Sequence, residues 1–506
     1  MFIRKTINKS GNASIQVMEK VNRKNVLVKH IGTAKTPLEL IQLSELAQKL
    51  IDRKRINKGV ISLFDSRFSE FQLKELMDKV NFTQVFDSAT YKFLNYFYKY
   101  IGFLGLNDNC FKDLVIGRIV RPCSKRQTQK YLEEHFGKKY SLTKIYRNLK
   151  KAYKSNYQRK IEKAVYKFVR KEMKLSITVL FFDVTTLHYE AFDEDDFRKC
   201  GFSKEKKHNQ PQIVVALIVT KYGMPLAMKS FKGNTFEGHT MLPCINELVQ
   251  HFQLSNFVVV ADSAMLSQAN IDILEKNDFK YIVGARLGNI SKKIFDKVAS
   301  LEKIDKNATR IMLSNNRTLV VSYSIKRARK DKSDRKKQIE KAKTLLSKSS
   351  AITRRYKFLT SRSKGKYQLN TKLIEKAKLL EGLKGYVTNA LDLTNSEIIK
   401  KYSELWQVEK AFRISKSDLK IRPVFHTARE SIESHLLLVF AALTISRYVE
   451  IISNQSIANI VKSLDRVKEI IVEDNTTRKT ISKFTNLNNS ALKLLNLAPN
   501  LIGSLK

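Results

Sequence analysis

Cysteine is scarce in this 506-residue chain: Cys110, Cys123, Cys200 and Cys244 stand far apart, and no two form a CxxC pair. No Cys/His cluster has zinc-ligand spacing, so a zinc finger and a disulfide scaffold are both excluded. Free thiols in a reducing compartment are expected. Long apolar runs are missing too. The longest, Leu436 to Ile445, falls well short of the ~20 residues a membrane span needs and precedes Arg447 and Glu450. The opening "MFIRKTINKSGN" has no signal-peptide stretch. A soluble cytoplasmic protein with no membrane partner is expected. Acidic residues are also few, 48 against 94 Lys and Arg, for a net charge of +46 and a pI near 10.0. Such a field attracts polyanions, and nucleic acid is the first partner to consider. A coding bias towards Lys, Asn and Ile is the competing explanation.

The length allows two to four domains, and no internal repeat is visible. Residues 1–35 alternate in short runs, "ASIQVMEKV" and "KNVLVKHIG", which predict a small β-hairpin region. The period then turns helical from "TPLELIQLSELAQKLI", and 36–173 is expected to be a mainly helical region. Within it, 122–153 has a helix-turn-helix pattern. Ser124 caps a first helix, "FGKKY" supplies the turn, and Ser141 and Leu142 open a second helix. That second helix exposes Lys144, Arg147, Lys150 and Lys151, which suits entry into a DNA groove. A helical hairpin without DNA contact is the other reading.

From 174 the texture becomes α/β. Strand "SITVLFFDV", strand "QIVVALIVT", the turn "KYGMP" and strand "LAMKSF" meander; a helix follows, then strands alternating with helices. This predicts a mixed sheet covered by helices, with a first part at 174–285 and a second at 383–453. Residues 286–382 interrupt it as a basic insertion. Its helix at 325–348 carries eleven Lys/Arg, among them Lys326, Arg327, Arg329 and Lys330, against Asp331, Asp334 and Glu340. Residues 395–419 read as one helix, and 454–506 as a weakly periodic helical tail.

Two core strands end in aspartate: "ITVLFFDVTTL" at Asp183 and "FVVVADSA" at Asp262, where small Ser263 and Ala264 follow. An aspartate after a strand is often only a turn former or helix cap. Two on adjacent strands would crowd like charges, and a divalent cation relieves that; carboxylate oxygens suit Mg²⁺ or Mn²⁺. A third carboxylate is expected on a helix beside the sheet. "KYSELWQVEKAFRISKSDL" offers Glu409, with Tyr402 and Lys416 seven residues to either side on the same face. A solvated face with incidental charges is the alternative for this helix.

This set resembles bacterial insertion-sequence transposases of the DDE class, whose signature is Tyr, two residues, Arg, three residues, Glu, six residues, Lys. Tyr402, Glu409 and Lys416 match; Leu405 stands where the signature has Arg, and Arg413 is a nearby arginine. "GFSKEKKHNQPQIVVALIVTKYGMPLAMKSFKGNTFEGHT", "YSIKRARKDKSDR" and "IRPVFHTARESIESH" are similar to the IS1634-like branch of the IS4-type family, over about residues 110 to 450. The resemblance implies an RNase H-like catalytic core with a basic insertion, preceded by a DNA-binding region. It implies that Asp183, Asp262 and Glu409 hold two Mg²⁺ ions, with Mn²⁺ able to substitute. One metal activates a water for phosphodiester cleavage and the other stabilises the leaving 3′-oxygen. The freed 3′-OH then joins target DNA. Tyr402 and Lys416 would contact phosphates near the element's end. The partners implied are double-stranded DNA, at terminal repeats and target, and a second copy in a homodimer on DNA.

Among other residues, His188 reads as structural, His435 could face the catalytic helix, and His426 flanks a helix start. Trp406 reads as packing, with base stacking as its alternative. Asn234 and Thr235 could line the cleft. A catalytically decayed DNA-binding protein and an RNase H-fold nuclease without strand joining remain the competing functions.

Overall fold

The computed structural model describes the chain except residues 9, 22–23, 58–79, 191–192, 203–208, 264–266, 314–315, 348–355, 364–365, 475–479 and 500–506. Ala264, Lys348 and part of "GFSKEKKHNQ" therefore lie outside the described residues. The chain divides into two compact units, residues 1–84 with 470–482, and 85–469 with 483–506.

In the first unit, β1 (Phe2–Ile7), β2 (Ala13–Val21) and β3 (Lys24–Ala34) form an antiparallel sheet in the order β1-β2-β3. Ile15 and Val17 on β2 are buried against Ala47 and Ile51 of α1 (Pro37–Asn57). The hairpin expected at 1–35 is thus a three-stranded sheet. No residue of β1 is fully buried, so its sequence shows no alternation of core and solvent positions. Another strand, β4 (Val80–Phe86), lies within the stretch expected to be helical.

The second unit begins with a helical layer: α2 (Ser88–Tyr100), α3 (Asn109–Val120), α4 (Lys125–Phe136), α5 (Leu142–Lys154) and α6 (Tyr157–Lys171). Ser124 accepts from the Gln127 amide to cap α4, and Ser141 accepts from the Lys144 amide to cap α5. Gly137 ends α4 at φ +64°, a left-handed conformation that favours glycine. Asp108 caps α3 and also accepts from Asn148 and Tyr157, tying α3, α5 and α6 together.

The sheet that follows contains β5 (Val179–His188), β6 (Gln212–Thr220) and β7 (Pro225–Lys232), an antiparallel meander. After α7 (Met241–Phe252), β8 (Val258–Ala261) pairs parallel with β5. After α8 (Gln268–Lys276), β9 (Lys280–Ala285) pairs parallel with β8. The order β9-β8-β5-β6-β7 is an RNase H-like arrangement. Every residue of β6 is buried, as expected for a strand covered on both faces.

The basic insertion does not stand apart from this sheet. It runs through α9 (Lys292–Ala299), β10 (Ala308–Met312), β11 (Thr318–Tyr323), α10 (Ile325–Ser347), the hairpin β12 (Leu359–Ser363) and β13 (Lys366–Leu369), and α11 (Thr371–Leu379). β14 (Leu383–Thr388) pairs antiparallel with both β9 and β11. One eight-stranded sheet results, in the order β10-β11-β14-β9-β8-β5-β6-β7.

The helix read at 395–419 is two helices, α12 (Asn395–Ser403) and α13 (Trp406–Ser417). Thr394 and Glu397 form a capping box at the start of α12. α12 packs on β8 to β11, and α13 on β5 and β6. The long α14 (Arg429–Ser453) contains the apolar run and packs on β7, α3 and α5. By length and composition it is the one helix among the described residues that passes for a membrane span, but 78% of its apolar window is buried inside the fold. After α15 (Ile457–Leu464), the tail read as helical supplies β15 (Lys468–Asp474) and β16 (Thr480–Thr485), in a sheet ordered β16-β15-β4, and then α16 (Asn489–Leu495).

Candidate active site

β5 and β8 run parallel with Phe182 opposite Ala261. The next residue on each chain is an aspartate, so Asp183 and Asp262 stand in step. Asp262 directly follows the last residue of β8, whereas Asp183 lies in the middle of β5, which stays paired with β6 to His188, so the strand end expected at Asp183 is a mid-strand position. Parallel partners project from the same face, which brings the two carboxylates together. Both residues are half-buried. The first Asp183 oxygen accepts from the Val184 amide at 2.7 Å.

Tyr402 comes to this place from the end of α12. Its ring packs edge-on against Tyr386, centroids 4.9 Å apart, and Tyr386 lies opposite Gly284 in the β14–β9 ladder. A Cβ at Gly284 would collide with the Tyr402 hydroxyl, so glycine there makes room for the phenol. Burial pushes the Tyr402 phenol up to about 12. The charge of Asp262, the neighbouring Tyr386 and the charge of Glu409 push the same way, and Arg327 opposes them. Tyr402 thus lies within electrostatic reach of two of the three carboxylates.

Glu409 sits in the first turn of α13, where the positive end of the helix favours a carboxylate, and its side chain is exposed. Lys416 lies two turns further along the same helix. Among the described residues, no three His, Cys, Asp or Glu side chains are close enough to form a metal cluster. The donor set fits a hard divalent cation in its chemistry, three carboxylates of which two are in step, but Glu409 is not gathered onto the aspartates.

Four residues here escaped the sequence reading. They are Gly284, Tyr386, Lys384 and, as a neighbour of Tyr402 and Lys384, Arg327. Lys384, on β14, has its ammonium 4.5 Å from the Tyr402 ring centroid and 5.6 Å from that of Tyr386. Burial lowers its pKa, the like charge of Arg327 adds to that, and Glu409 works against it. Leu405, in the signature's Arg position, is buried at the α12–α13 break, while Lys384 brings a cation within reach of Glu409. Arg413 is exposed, and its charge acts on Asp418. The only available signal for Gly284 was a glycine inside a core strand, "YIVGAR".

The remaining expected residues fall in three places. Lys144, Arg147, Lys150 and Lys151 are exposed on α5. Lys150 reaches Glu430 at 3.9 Å and Lys151 reaches Asp108 at 4.0 Å. Lys326, Arg327, Arg329 and Lys330 are exposed at the start of α10. Arg327 pairs with Asp331 at 3.5 Å, and it alone of the four acts on the Tyr402–Lys384 group. A cavity of about 500 Å³ opens beside it, lined by Lys384, Arg335, Lys376 and Asp331 among others. Trp406 is half-exposed, so packing does not account for it. His435 turns to the Ile421 carbonyl, donating at 3.0 Å. His188 is buried on β5; Asn234 is exposed and Thr235 half-buried beyond β7.

The α13 helix is held by a buried cluster. Arg447 of α14 donates to Glu450 at 2.8 Å, to the Tyr222 and Gly223 carbonyls at 3.1 and 3.2 Å, and to Gln407 of α13 at 3.0 Å. Lys410 of α13 also meets Glu450, at 3.0 Å. Gln407 and Lys410 flank Glu409, so this cluster sets where Glu409 stands relative to the sheet.

A search of curated proteins finds no match. Eight chains of solved structures match; one is a piggyBac transposase synaptic complex with hairpin DNA, 12% identical, with a TM-score of 0.39, covering 78% of this chain and 73% of that one. The family described as transposase DDE domain matches residues 174–445, from just before β5 to the middle of α14. That match spans more than half of the sequence, and the chain belongs to the DDE transposases.

Proposed function

We propose that the protein cleaves phosphodiester bonds at the ends of an insertion sequence and joins the 3′-OH ends to target DNA, with Asp183, Asp262 and Glu409 as the catalytic carboxylates. The observation that carries this is the in-step placement of Asp183 and Asp262, beside a tyrosine that also feels Glu409. The three would hold two Mg²⁺ ions, or Mn²⁺. When bound, such ions lower the pKa of an attacking water and stabilise the leaving oxygen. Tyr402, Lys384 and Lys416 would fix the phosphate near the carboxylates, and positioning of this kind supplies much of the rate. The region 36–173, with Lys144, Arg147, Lys150 and Lys151, would bind the element's end. Lys326, Arg327, Arg329 and Lys330 in the 286–382 segment would grip backbone beside the scissile phosphate. Pairing two ends calls for at least a homodimer on DNA, acting in a bacterial cytoplasm.

The test is cleavage and strand transfer of a labelled end duplex in Mg²⁺, beside gel-shift titration. Asp183→Asn, Asp262→Asn and Glu409→Gln should each reduce cleavage at least ~10³-fold while end binding persists. Near-normal cleavage by one variant removes that residue from the site. Cleavage without joining makes the protein a nuclease, and binding without either makes it a decayed copy.

A further inference from the structure

Away from the carboxylates, the helical layer buries two cations together. Arg118 lies on α3 and Lys125 is the first residue of α4; each is only 6% exposed. Among the described residues, neither has a hydrogen-bond acceptor or a carboxylate partner. His426 and His435 feel the charge of both, and their own ring centroids are 5.8 Å apart. His435 is buried, and with Nε2 committed to the Ile421 carbonyl its Nδ1 has no partner. Lys125 is pushed down to about 7, first by burial and then by Arg118. His426 is pushed down to about 4 by burial and then by Lys125 and Arg118; the same causes hold His435 well below its ordinary range. The larger fields on these four groups come from one another and from Cys123, and no carboxylate is among them.

Buried charges in proteins are paired, and a group of cations with no anion is what remains when the anion is a ligand. The location identifies it. The His426 ring meets Tyr146 of α5 edge-on, with centroids 6.5 Å apart. Tyr146 is itself exposed on the helix that presents Lys144 and Arg147 to solvent. His426 and Ile421 belong to the segment joining α13 to α14, so the cluster lies between the basic helix and the element that carries Glu409.

We propose that Arg118, Lys125, His426 and His435 form a receptor for one phosphate group, and that its occupant is a backbone phosphodiester of the DNA lying along α5. The identity of the occupant rests on the DNA-end-binding reading above; the existence of an anion receptor does not. Arg118 supplies a planar fork of donors, Lys125 a point charge, and His435 a ring nitrogen free to take a proton facing an anion.

Two measurements on the full chain test this, with Arg118→Met and Lys125→Met as variants. In the first, inorganic phosphate is titrated at constant ionic strength while the melting temperature is followed. The parent should gain stability with phosphate, and each variant should lose most of that gain. In the second, a short duplex from the DNA flanking the gene is bound at several salt concentrations. One lost phosphate contact should lower the slope of log affinity against log salt by about 0.9. A duplex with one uncharged methylphosphonate should weaken the parent at one backbone position and leave Lys125→Met indifferent there. No phosphate effect on the parent overturns the receptor. A phosphate effect lost in the variants, with DNA slopes unchanged, overturns the DNA occupant and leaves a site for a small free anion. Failure of the parent to bind any duplex refutes the DNA reading, while the melting experiment still decides the receptor.

Discussion

Two buried arginines meet the same long helix and end differently. Arg447, 2% exposed, spends its donors on Glu450, two backbone carbonyls and Gln407. Arg118, on a helix packed against α14, has Lys125 beside it and no carboxylate. The first arrangement is complete within the chain, and removing either partner leaves a charge stranded. The second is incomplete, and its missing member has to come from outside. Saturation of donors thus separates a structural charge from a receptive one where burial alone does not.

The largest effect expected from breaking this contrast is on the complete centre. Arg447→Met removes the buried cation from Glu450, leaving it Lys410 and the Ile457 amide, and should destabilise by about 3–5 kcal/mol in urea unfolding. A loss below about 1 kcal/mol would mean that Arg447 is not the partner its geometry makes it. Next is Gly223→Ala. Gly223 has φ +78°, and a Cβ there would collide with the Arg447 guanidinium. Strain and displacement together should cost about 2 kcal/mol, and should also lower cleavage because Gln407 loses its anchor. Unchanged cleavage at reduced stability would detach this cluster from the site.

The incomplete centre should respond with the opposite sign. Lys125→Met in the DNA-free protein should stabilise by roughly 1 kcal/mol, since a methionine of similar length needs no counter-charge. Destabilisation of that size would show that Lys125 has a structural partner. The smallest effect is its pH dependence. Lys125 in the folded chain titrates at about 7, below its ordinary 10.5. Below about 7 it is charged in folded and unfolded chains alike, and the folded state bears the whole penalty of burial. Above the ordinary value it is neutral in both and the penalty is gone. The stability gap between variant and parent should therefore be widest at pH 7 and below, and should close between pH 7 and about 10.5. Arg118 is the charged group facing Lys125, with the Cys123 side chain beside it and His426 and His435 neutral over that range. A gap constant with pH would place the ammonium in solvent.

Much of the sheet was legible because its central strands are short, continuously apolar runs, and β5 and β8 are strongly apolar up to their aspartates. The caps at Ser124 and Ser141 were legible because a serine at a helix start accepts from a backbone amide three residues on. The break between α12 and α13 was not. "KKYSELWQVEK" contains neither proline nor glycine, and the turn at Glu404–Leu405 comes from how two short helices seat on different strands. The joining of β10 and β11 to the main sheet was hidden by distance along the chain, since β14 reaches them only after α10 and α11. No motif or spacing in the sequence singles out Lys384, Arg118 or Lys125, and only the fold shows what encloses them.

α14 brings both centres onto one rod. His435 near its start belongs to the phosphate receptor, and Arg447 further along braces the helix of Glu409. At 1.5 Å per residue they are about 18 Å apart along the axis, with no interruption in the helix between them. About five base pairs of duplex cover that length, at roughly 3.4 Å each. The rod thus works as a gauge. A backbone phosphate held at the first centre would stand at a fixed interval from the brace of the Glu409 helix, set by helix geometry rather than by any base sequence.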